Sequence, residues 1–316
     1  MGRVLFVSAG PGAADLITLR GARALALADV VLFDALTDPA LRELAPQAKW
    51  LDVGKRGFCH STKQTAINAA LVREAKAHEV VVRLKGGDAN VFGRLEEELL
   101  ALAEADIPYE IVPGVTAAIA AAAQTGRPLT RRGAGRSVAL TTAMTREGDL
   151  QAGKSADTEV FYMAGQQLAA LARRLLAAGW DAGTPVSVVS RAGCADALSS
   201  EHDVASLGAA SMLHKGRPTV VIVGAGAAPL AGAPTPSTTG ATAGTRGMPD
   251  RIWAITRRRP HGKTLSRRGW NPCPKARTFK ISRFPSARPS PPSTDRQGIA
   301  DFRGAARRSP SLEEPL

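Results

Sequence analysis

Three short segments combine glycines with charged or small residues, and they are the best candidates in the chain for binding a ligand. They read VSAGPGAAD (residues 7–15), RLKGGDANVFGR (residues 83–94) and IVPGVTA (residues 111–117). Glycine allows a ligand to approach the main chain closely, so that backbone N–H and C=O groups can contact it. In the second segment Lys85, Asp88 and Arg94 surround the glycines, and a simple turn does not require those charges. The second segment is therefore the most specific of the three.

The first segment also raises the alternative of a dinucleotide-binding fold. Asp34 follows Gly12 by 22 residues, about where such a fold places the acid that binds ribose. The pattern G-x-G-x-x-G fails at Asp15, however, and Pro11 separates the two glycines. A nicotinamide enzyme is the weaker interpretation, and we expect no binding of NAD.

Alternating strands and helices are predicted to position these segments. Runs of β-branched residues predict strands at residues 4–7, 30–33, 50–53, 80–84, 110–112, 138–141, 160–161, 186–189 and 219–223. The spacing of apolar residues predicts helices at residues 19–28, 65–78, 96–105, 116–125 and 167–178. Thr18 is the predicted N-cap of the first helix. This alternation is typical of an α/β protein with mainly parallel sheets, and it places each segment at the end of a strand.

The chain is predicted to divide into three parts. Turn-forming residues at Pro113-Gly114 and across residues 126–135 are the strongest breaks in the strand and helix pattern. We place the boundary at the first of them, which gives an N-terminal α/β domain at residues 1–113 and a second α/β domain at residues 114–232. A tail of different composition follows at residues 233–316.

The tail is rich in proline and basic residues. It holds 12 of the 21 prolines, and it carries 17 Lys and Arg against 5 Asp and Glu, whereas residues 1–232 carry 24 against 23. Few of its side chains are apolar, so burial cannot offset the entropy of ordering the segment. We predict a disordered tail. Because the basic excess belongs to this tail, the formal charge of +13 does not indicate that the α/β part of the chain binds nucleic acid.

Cysteine usage and hydropathy exclude several other classes of protein. Cys59, Cys194 and Cys273 lie far apart with no C-x-x-C pair, which indicates neither a disulfide framework nor a zinc site. No apolar run has the length of a membrane span, and the first residues lack the apolar length of a secretion signal. We expect a cytoplasmic protein that binds no metal and no membrane.

The three segments, in this order and spacing, resemble the tetrapyrrole methylase family. Four further stretches carry the resemblance: LFDAL (32–36), DVGKR (52–56), residues 126–136 and FYMAG (161–165). It extends from about residue 3 to residue 226, and the tail has no counterpart in the family. The resemblance implies two α/β domains with mainly parallel sheets, an active site in the cleft between them, and a homodimer. It also implies C-methylation of uroporphyrinogen III from S-adenosylmethionine, with two methyl transfers that give precorrin-2 for sirohaem or cobalamin synthesis.

The resemblance also assigns roles to single residues. It implies Asp34 and Lys55 as the catalytic proton acceptor and donor. Arg94 and Arg131 would bind carboxylates of the substrate, for which arginine offers paired donors. The implied cofactor contacts are Pro11, Gly86, Gly87, Asp88, Val91, Thr116, Ala117, Met163 and Ala192.

Several positions depart from the family pattern and leave alternatives open. Ala13, Ala35, Ala89 and Arg131 stand where the family usually has Asp, Arg, Pro and His. The alternatives are a later precorrin methyltransferase, an RNA methyltransferase of the same fold, and a non-catalytic paralogue that binds the cofactor. Lys55 and the Arg94 loop favour the early enzyme, the basic tail favours RNA, and the substitutions favour the non-catalytic paralogue.

Overall fold

The computed structural model describes residues 2–54, 64–144, 149–230 and 232 of the chain. These residues form two five-stranded sheets with helices packed against them, which confirms the α/β class. The strands are β1 (Arg3–Ser8), β2 (Val30–Phe33), β3 (Lys49–Asp52), β4 (Val80–Lys85), β5 (Tyr109–Val112), β6 (Val138–Thr142), β7 (Thr158–Tyr162), β8 (Pro185–Ser190), β9 (Leu198–Asp203) and β10 (Thr219–Gly224). The helices are α1 (Leu19–Leu25), α2 (Gln64–Ala77), α3 (Leu95–Glu104), α4 (Ala117–Thr125) and α5 (Leu168–Ala177).

The first sheet is parallel throughout and has the strand order β3-β2-β4-β1-β5. Its inner strands are nearly continuous apolar runs, VLFVS in β1 and VVV in β4, and they are buried on both faces. Such runs are characteristic of parallel sheets that helices cover on both sides. Because all the strands point the same way, the segments that follow β1, β4 and β5 meet at one edge of the sheet, its carboxyl edge.

Side chains of β1 alternate between two cores. Leu5 and Val7 join the core under α1, whereas Val4 and Phe6 join the core under α2 and α3. The predicted cap of α1 is confirmed, since Thr18 Oγ1 accepts a hydrogen bond from the Gly21 N–H at 3.0 Å. The alternation along β1 thus places neighbouring side chains on opposite faces of the sheet.

The second sheet has the order β6-β7-β10-β8-β9 and is mainly antiparallel, which corrects the prediction of mainly parallel pairing in both sheets. Only the β6–β7 pair is parallel in this sheet, while β10 runs antiparallel to β7 and β8, and β9 antiparallel to β8. The connection from Ser190 to Leu198 is too short for the crossover helix that a parallel pair needs. The α5 helix does cross over, between β7 and β8, which therefore point the same way.

Strand β9 was not among the predicted strands. Its sequence, LSSEHD, contains no β-branched residue, and its side chains are all half-buried or exposed. It lies at the edge of the second sheet, where polar residues are tolerated because one side of the strand has no neighbour. The apolar pattern that identifies central strands is therefore missing from it.

The helices of the second half cover opposite faces of its sheet. The α4 helix packs Ala118 and Ala121 with Val160 and Ile222, and α5 packs in a second core with Phe161 and Trp180. β1 to β5 precede Pro113, and β6 to β10 follow Gly135. The domain boundaries at residues 113 and 232 remain predictions, and the predicted tail lies outside the described residues. No helix in the described ranges is long and apolar enough to cross a membrane.

Candidate active site

The turns that follow β1, β4 and β5 are joined by hydrogen bonds at the carboxyl edge of the first sheet. Gly10 and Gly87 exchange backbone bonds, with Gly87 N donating to Gly10 O at 2.7 Å and Gly10 N donating to Gly87 O at 3.2 Å. Ser8 Oγ accepts from the Ala89 N–H at 3.0 Å. The Gly114 N–H adds the third segment by donating to Asp88 Oδ2, and we call the connected segments the glycine-loop cluster (residues 8–13, 86–91 and 113–117).

Asp88 holds two of these turns together. Its Oδ2 accepts from the Gly114 N–H at 2.7 Å, and its Oδ1 accepts from Asn90 N at 2.8 Å and from Asn90 Nδ2 at 2.9 Å. The carboxylate that the sequence suggested as a ligand contact thus serves first to shape the loop. Beside it, Gly87 has φ +68°, and a Cβ added there would meet no atom within 4 Å. The loop consequently exposes its main chain to open space.

A loop from the second sheet packs directly on the first turn. The Ala13 N–H donates to Gly193 O at 2.9 Å, and a Cβ added to Gly12 would fall 2.6 Å from the Gly193 carbonyl carbon. A Cβ on Gly193 would in turn lie 3.1 Å from Pro11 Cγ. Pro11, a predicted cofactor contact, therefore lies close to Gly193, the residue that follows the predicted contact Ala192; Ala192 itself is buried.

Tyr162, at the end of β7, makes a second contact between the second sheet and the segment that follows β5. Its hydroxyl lies 2.7 Å from Thr116 Oγ1 and accepts from the Ala118 N–H at 3.2 Å. Its ring packs on Phe92, with 5.0 Å between the ring centroids. Met163 follows with a left-handed backbone (φ +59°) and a side chain that is 55% exposed. Tyr162 and Phe92 were missed in the sequence, although Tyr162 stands in the FYMAG stretch.

Asp34 lies at the same edge, at the end of β2. Its Oδ1 accepts from Arg83 Nη2 at 2.6 Å, and its side chain remains 30% exposed. The next residue, Ala35, touches Gly54, since a Cβ on Gly54 would fall 2.2 Å from Ala35 N. Lys55, the predicted partner of Asp34, lies outside the described residues.

The two predicted substrate arginines have different surroundings. Arg94 forms a two-point pair with Glu97, with Nε–Oε1 and Nη2–Oε2 distances of 2.7 Å, and it is exposed beside a cavity of about 620 Å³ on α3. Arg131 instead donates to the carbonyl oxygens of Ala228 and Pro229. These contacts secure the chain after β10, and among the described residues none of them joins Arg131 to the glycine-loop cluster.

Two further observations limit the chemistry of this region. Burial raises the pKa of the Cys194 thiol, more than the nearby Arg191 lowers it, so this thiol stays protonated and is a poor nucleophile. Among the described residues, no group of three or more His, Cys, Asp and Glu side chains is placed to hold a metal ion. The polar groups named in the described part of the site include carboxylates, cations, hydroxyls and backbone amides.

Similarity to known proteins agrees with this arrangement of loops. Residues 3–207 match the family of tetrapyrrole (corrin/porphyrin) methylases. The chain is 44% identical over 195 residues to uroporphyrinogen-III C-methyltransferase of Pseudomonas aeruginosa, which covers 60% of this chain and 80% of that protein. It is 45% identical over 196 residues to siroheme synthase 1 of Klebsiella pneumoniae, covering 60% of this chain and 42% of the synthase. The chain thus spans less than half the length of that relative.

A solved structure is also similar over most of the folded part. Uroporphyrin-III C-methyl transferase from Thermus thermophilus, complexed with S-adenyl homocysteine, has a TM-score of 0.63 at 36% identity, covering 71% of this chain and 97% of that one. The present chain belongs to the tetrapyrrole methylases, which confirms the family suggested by the sequence.

Proposed function

We propose that this protein methylates uroporphyrinogen III at two carbons, using S-adenosylmethionine, and so forms precorrin-2 for sirohaem or cobalamin synthesis. The observation that carries the proposal is the meeting of loops from both sheets at the glycine-loop cluster, with Asp34 exposed at the same edge. The names of two relatives given above, uroporphyrinogen-III C-methyltransferase and uroporphyrin-III C-methyl transferase, support the choice of substrate.

The residues present fit S-adenosylmethionine. Gly87, which follows Gly86, leaves main chain exposed beside open space, and Thr116 and Ala117 begin α4, where backbone N–H groups favour an anionic carboxylate. The other residues proposed to hold it are Pro11, Asp88, Val91, Met163 and Ala192. When bound, it supplies a methyl group on a positively charged sulfur, which is the electrophile.

Asp34 is proposed to act on the substrate ring. Forming a carbon–carbon bond at a pyrrole carbon leaves the ring positively charged until a proton departs. A partly exposed carboxylate at the sheet's edge stabilises that charge and can accept the proton. Lys55 is the proposed proton donor, and it follows directly on Gly54, which lies against Ala35.

Arg94 is the better supported of the two substrate arginines. It is exposed, and its pairing with Glu97 demonstrates the two-point geometry that a substrate carboxylate would use. Arg131 stays a proposed substrate contact from the family pattern. Its bonds to Ala228 and Pro229 would have to be kept or exchanged on binding.

A homodimer and a cytoplasmic location are also part of the proposal. Both come from the family resemblance and from the sequence, and sedimentation of the purified chain measures the first. A monomeric mass at all working concentrations would contradict it.

The deciding experiment incubates the protein with uroporphyrinogen III and S-adenosylmethionine, oxidises the product and determines its mass. We expect two added methyl groups. Calorimetry with S-adenosylhomocysteine and with NAD tests the cofactor separately, and only the first should bind. Binding of S-adenosylhomocysteine with no methyl transfer to uroporphyrinogen III would redirect the proposal to another tetrapyrrole, to RNA or to a non-catalytic paralogue.

A further inference from the structure

Four charged side chains form a continuous network that leads from the interior of the first sheet to Asp34. Lys85 Nζ lies 2.8 Å from Glu98 Oε2, Glu98 Oε1 lies 3.0 Å from Arg83 Nε, and Arg83 Nη2 lies 2.6 Å from Asp34 Oδ1. Arg83, Lys85 and Glu98 are each at most 3% exposed in their side chains, whereas Asp34 is 30% exposed. Asp34 is thus the member through which this network reaches the solvent.

Every other contact of Arg83 fixes the direction of its guanidinium. Nη1 donates to Leu32 O at 3.3 Å and to Leu84 O at 3.1 Å. The Asp34 N–H donates to the same Leu84 carbonyl at 3.2 Å. The backbone and the side chain of Asp34 are therefore both anchored on β4, and Arg83 has no freedom to follow a carboxylate that rotates away.

We propose that Arg83 is a positioning residue that holds the Asp34 carboxylate in one orientation toward the substrate. The inference rests on the proposed role of Asp34. Arg83 occupies Oδ1, while no described residue hydrogen-bonds to Oδ2, so Oδ2 is left for the reacting ring. Glu98 supports this arrangement by pairing with both Arg83 and Lys85, so that the two buried cations are balanced by the carboxylates of Glu98 and Asp34.

The charge of Arg83 is secure. Burial alone would lower its pKa, but the carboxylates of Asp34 and Glu98 outweigh burial and raise the pKa. Lys85 has the opposite balance, since burial and the nearby Arg83 lower its pKa more than Glu98 raises it. The cation whose charged form its surroundings stabilise is therefore the one in contact with Asp34.

The test is a double-variant cycle with Arg83→Lys and Asp34→Asn. Lysine keeps the charge but cannot bind Glu98 and Asp34 with the same fork of donors. We expect Arg83→Lys to lower kcat by about 10- to 100-fold, the scale of a misplaced catalytic group, with KM and affinity for S-adenosylhomocysteine within about twofold of wild type. In the Asp34→Asn background the same change should cost no further activity, because Arg83 acts through Asp34. Additive losses would overturn the proposal, since a purely structural role predicts them.

Two controls separate this outcome from others. Arg73→Lys changes an arginine paired with Glu74 at the far end of α2 and should leave kcat unchanged.

Melting temperatures of wild type, the two single variants and the double variant measure the contact between Arg83 and Asp34 without an activity assay. If wild type does not methylate uroporphyrinogen III, the proposed function fails, and non-additive melting temperatures would still support the anchoring of Asp34 by Arg83. Additive melting temperatures would overturn it. Should Arg83→Lys unfold, Arg83→Met replaces it in the cycle, because it removes the contact with Asp34 and leaves Glu98 paired with Lys85.

Discussion

The Gly114 N–H donates to Oδ2 of Asp88 across 2.7 Å, and this bond connects the loop after β4 with the turn after β5. The other oxygen of Asp88 holds its own loop through Asn90. This carboxylate thus shapes the loop, in addition to its proposed contact with the cofactor. The strength of cofactor binding should depend on it for both reasons.

Asp88→Ala should weaken binding of S-adenosylhomocysteine by about 1–3 kcal/mol, the usual cost of leaving buried hydrogen-bonding partners unsatisfied. Calorimetric titration measures the affinity. The matched control is Asp29→Ala, which removes a comparable bond, from the Val80 N–H to Asp29 Oδ2 at 2.9 Å, at the opposite edge of the sheet. It should lower the melting temperature without changing the affinity. Equal affinities in all three proteins would show that Asp88 has no part in the cofactor site.

Asp34→Asn should leave the affinity for S-adenosylhomocysteine within about twofold and reduce turnover by about 100-fold or more, as expected for loss of a general base. The amide keeps the shape of the side chain and removes its charge. Single-turnover methylation measures the rate, and melting temperatures verify folding.

Asp15→Asn is the control for this loss, since Asp15 is exposed in the turn after β1. Lys55→Met should behave like Asp34→Asn, with weaker binding of substrate as well. If both Asp34→Asn and Lys55→Met had a turnover near that of wild type, Asp34 and Lys55 would have no catalytic role.

Tyr162→Phe should weaken binding of S-adenosylhomocysteine by about fivefold, close to 1 kcal/mol, which is the typical net value of one hydrogen bond. The change removes the hydroxyl that contacts Thr116 and Ala118 but keeps the ring on Phe92. Calorimetry again measures the affinity. Tyr109→Phe is the control, because the ring of that exposed tyrosine packs on Phe6 at the edge strand β5. A loss of equal size in both variants would contradict a specific role for Tyr162.

A shortened chain that ends at Leu230 should keep the melting temperature and turnover of the full chain. Residues 233–316 have too few apolar side chains to build a core, and the shortened chain retains the carbonyl oxygens of Ala228 and Pro229 that Arg131 binds. Thermal unfolding and the methylation assay measure the two properties.

A chain that ends at Gly224 is the contrasting case. It loses those carbonyls and also the Gly226 N–H that donates to Thr158 Oγ1 at 2.8 Å. It should melt at a lower temperature than the chain that ends at Leu230. Aggregation or inactivity of the longer of the two would mean that the tail contributes to the structure.

Acid should weaken the second sheet through Asp157. Hydrogen bonds from the Ser137 hydroxyl and from the N–H groups of Arg136 and Ser137 lower the pKa of Asp157. Because the native pKa lies below the unfolded value of about 3.9, this stabilisation is fully present above that value and is lost as the pH falls through the native pKa. Asp157→Asn should therefore lower the melting temperature more at about pH 6 than at about pH 3. An equal reduction at both pH values would contradict the assignment.

Sequence pattern alone was enough to predict the helices, from their apolar periodicity, and the central strands, from their runs of β-branched residues. The α2 helix, for example, was predicted at residues 65–78 and found at Gln64–Ala77. Strand β9 was missed because an edge strand needs no apolar pattern. The direction of pairing in the second sheet depends on the length of the connection after β8, which strand propensity does not reveal.

The site was only partly predictable for a related reason. Gly10, Gly87 and Gly114 could be selected from their residue types, but the contact between Arg83 and Asp34 joins residues 49 positions apart. That contact exists because β2 and β4 are neighbours in the sheet. The order of strands in a sheet cannot be predicted from the spacing of residues along the sequence. Arg131 shows the converse, since its motif suggested a substrate contact while its observed bonds go to residues almost 100 positions later.

The bond between Ala13 and Gly193 spans 180 residues of chain, and this separation bears on how the protein is made. The five strands of the first sheet lie within residues 3–112, so they can pair while the rest of the chain is still being synthesised. The Gly-Pro-Gly turn gains its neighbour from the second sheet only after residue 193 has left the ribosome. A nascent chain would therefore acquire the ability to bind its nucleoside cofactor late and abruptly, and ligand capture by stalled chains of increasing length would report the completion of folding.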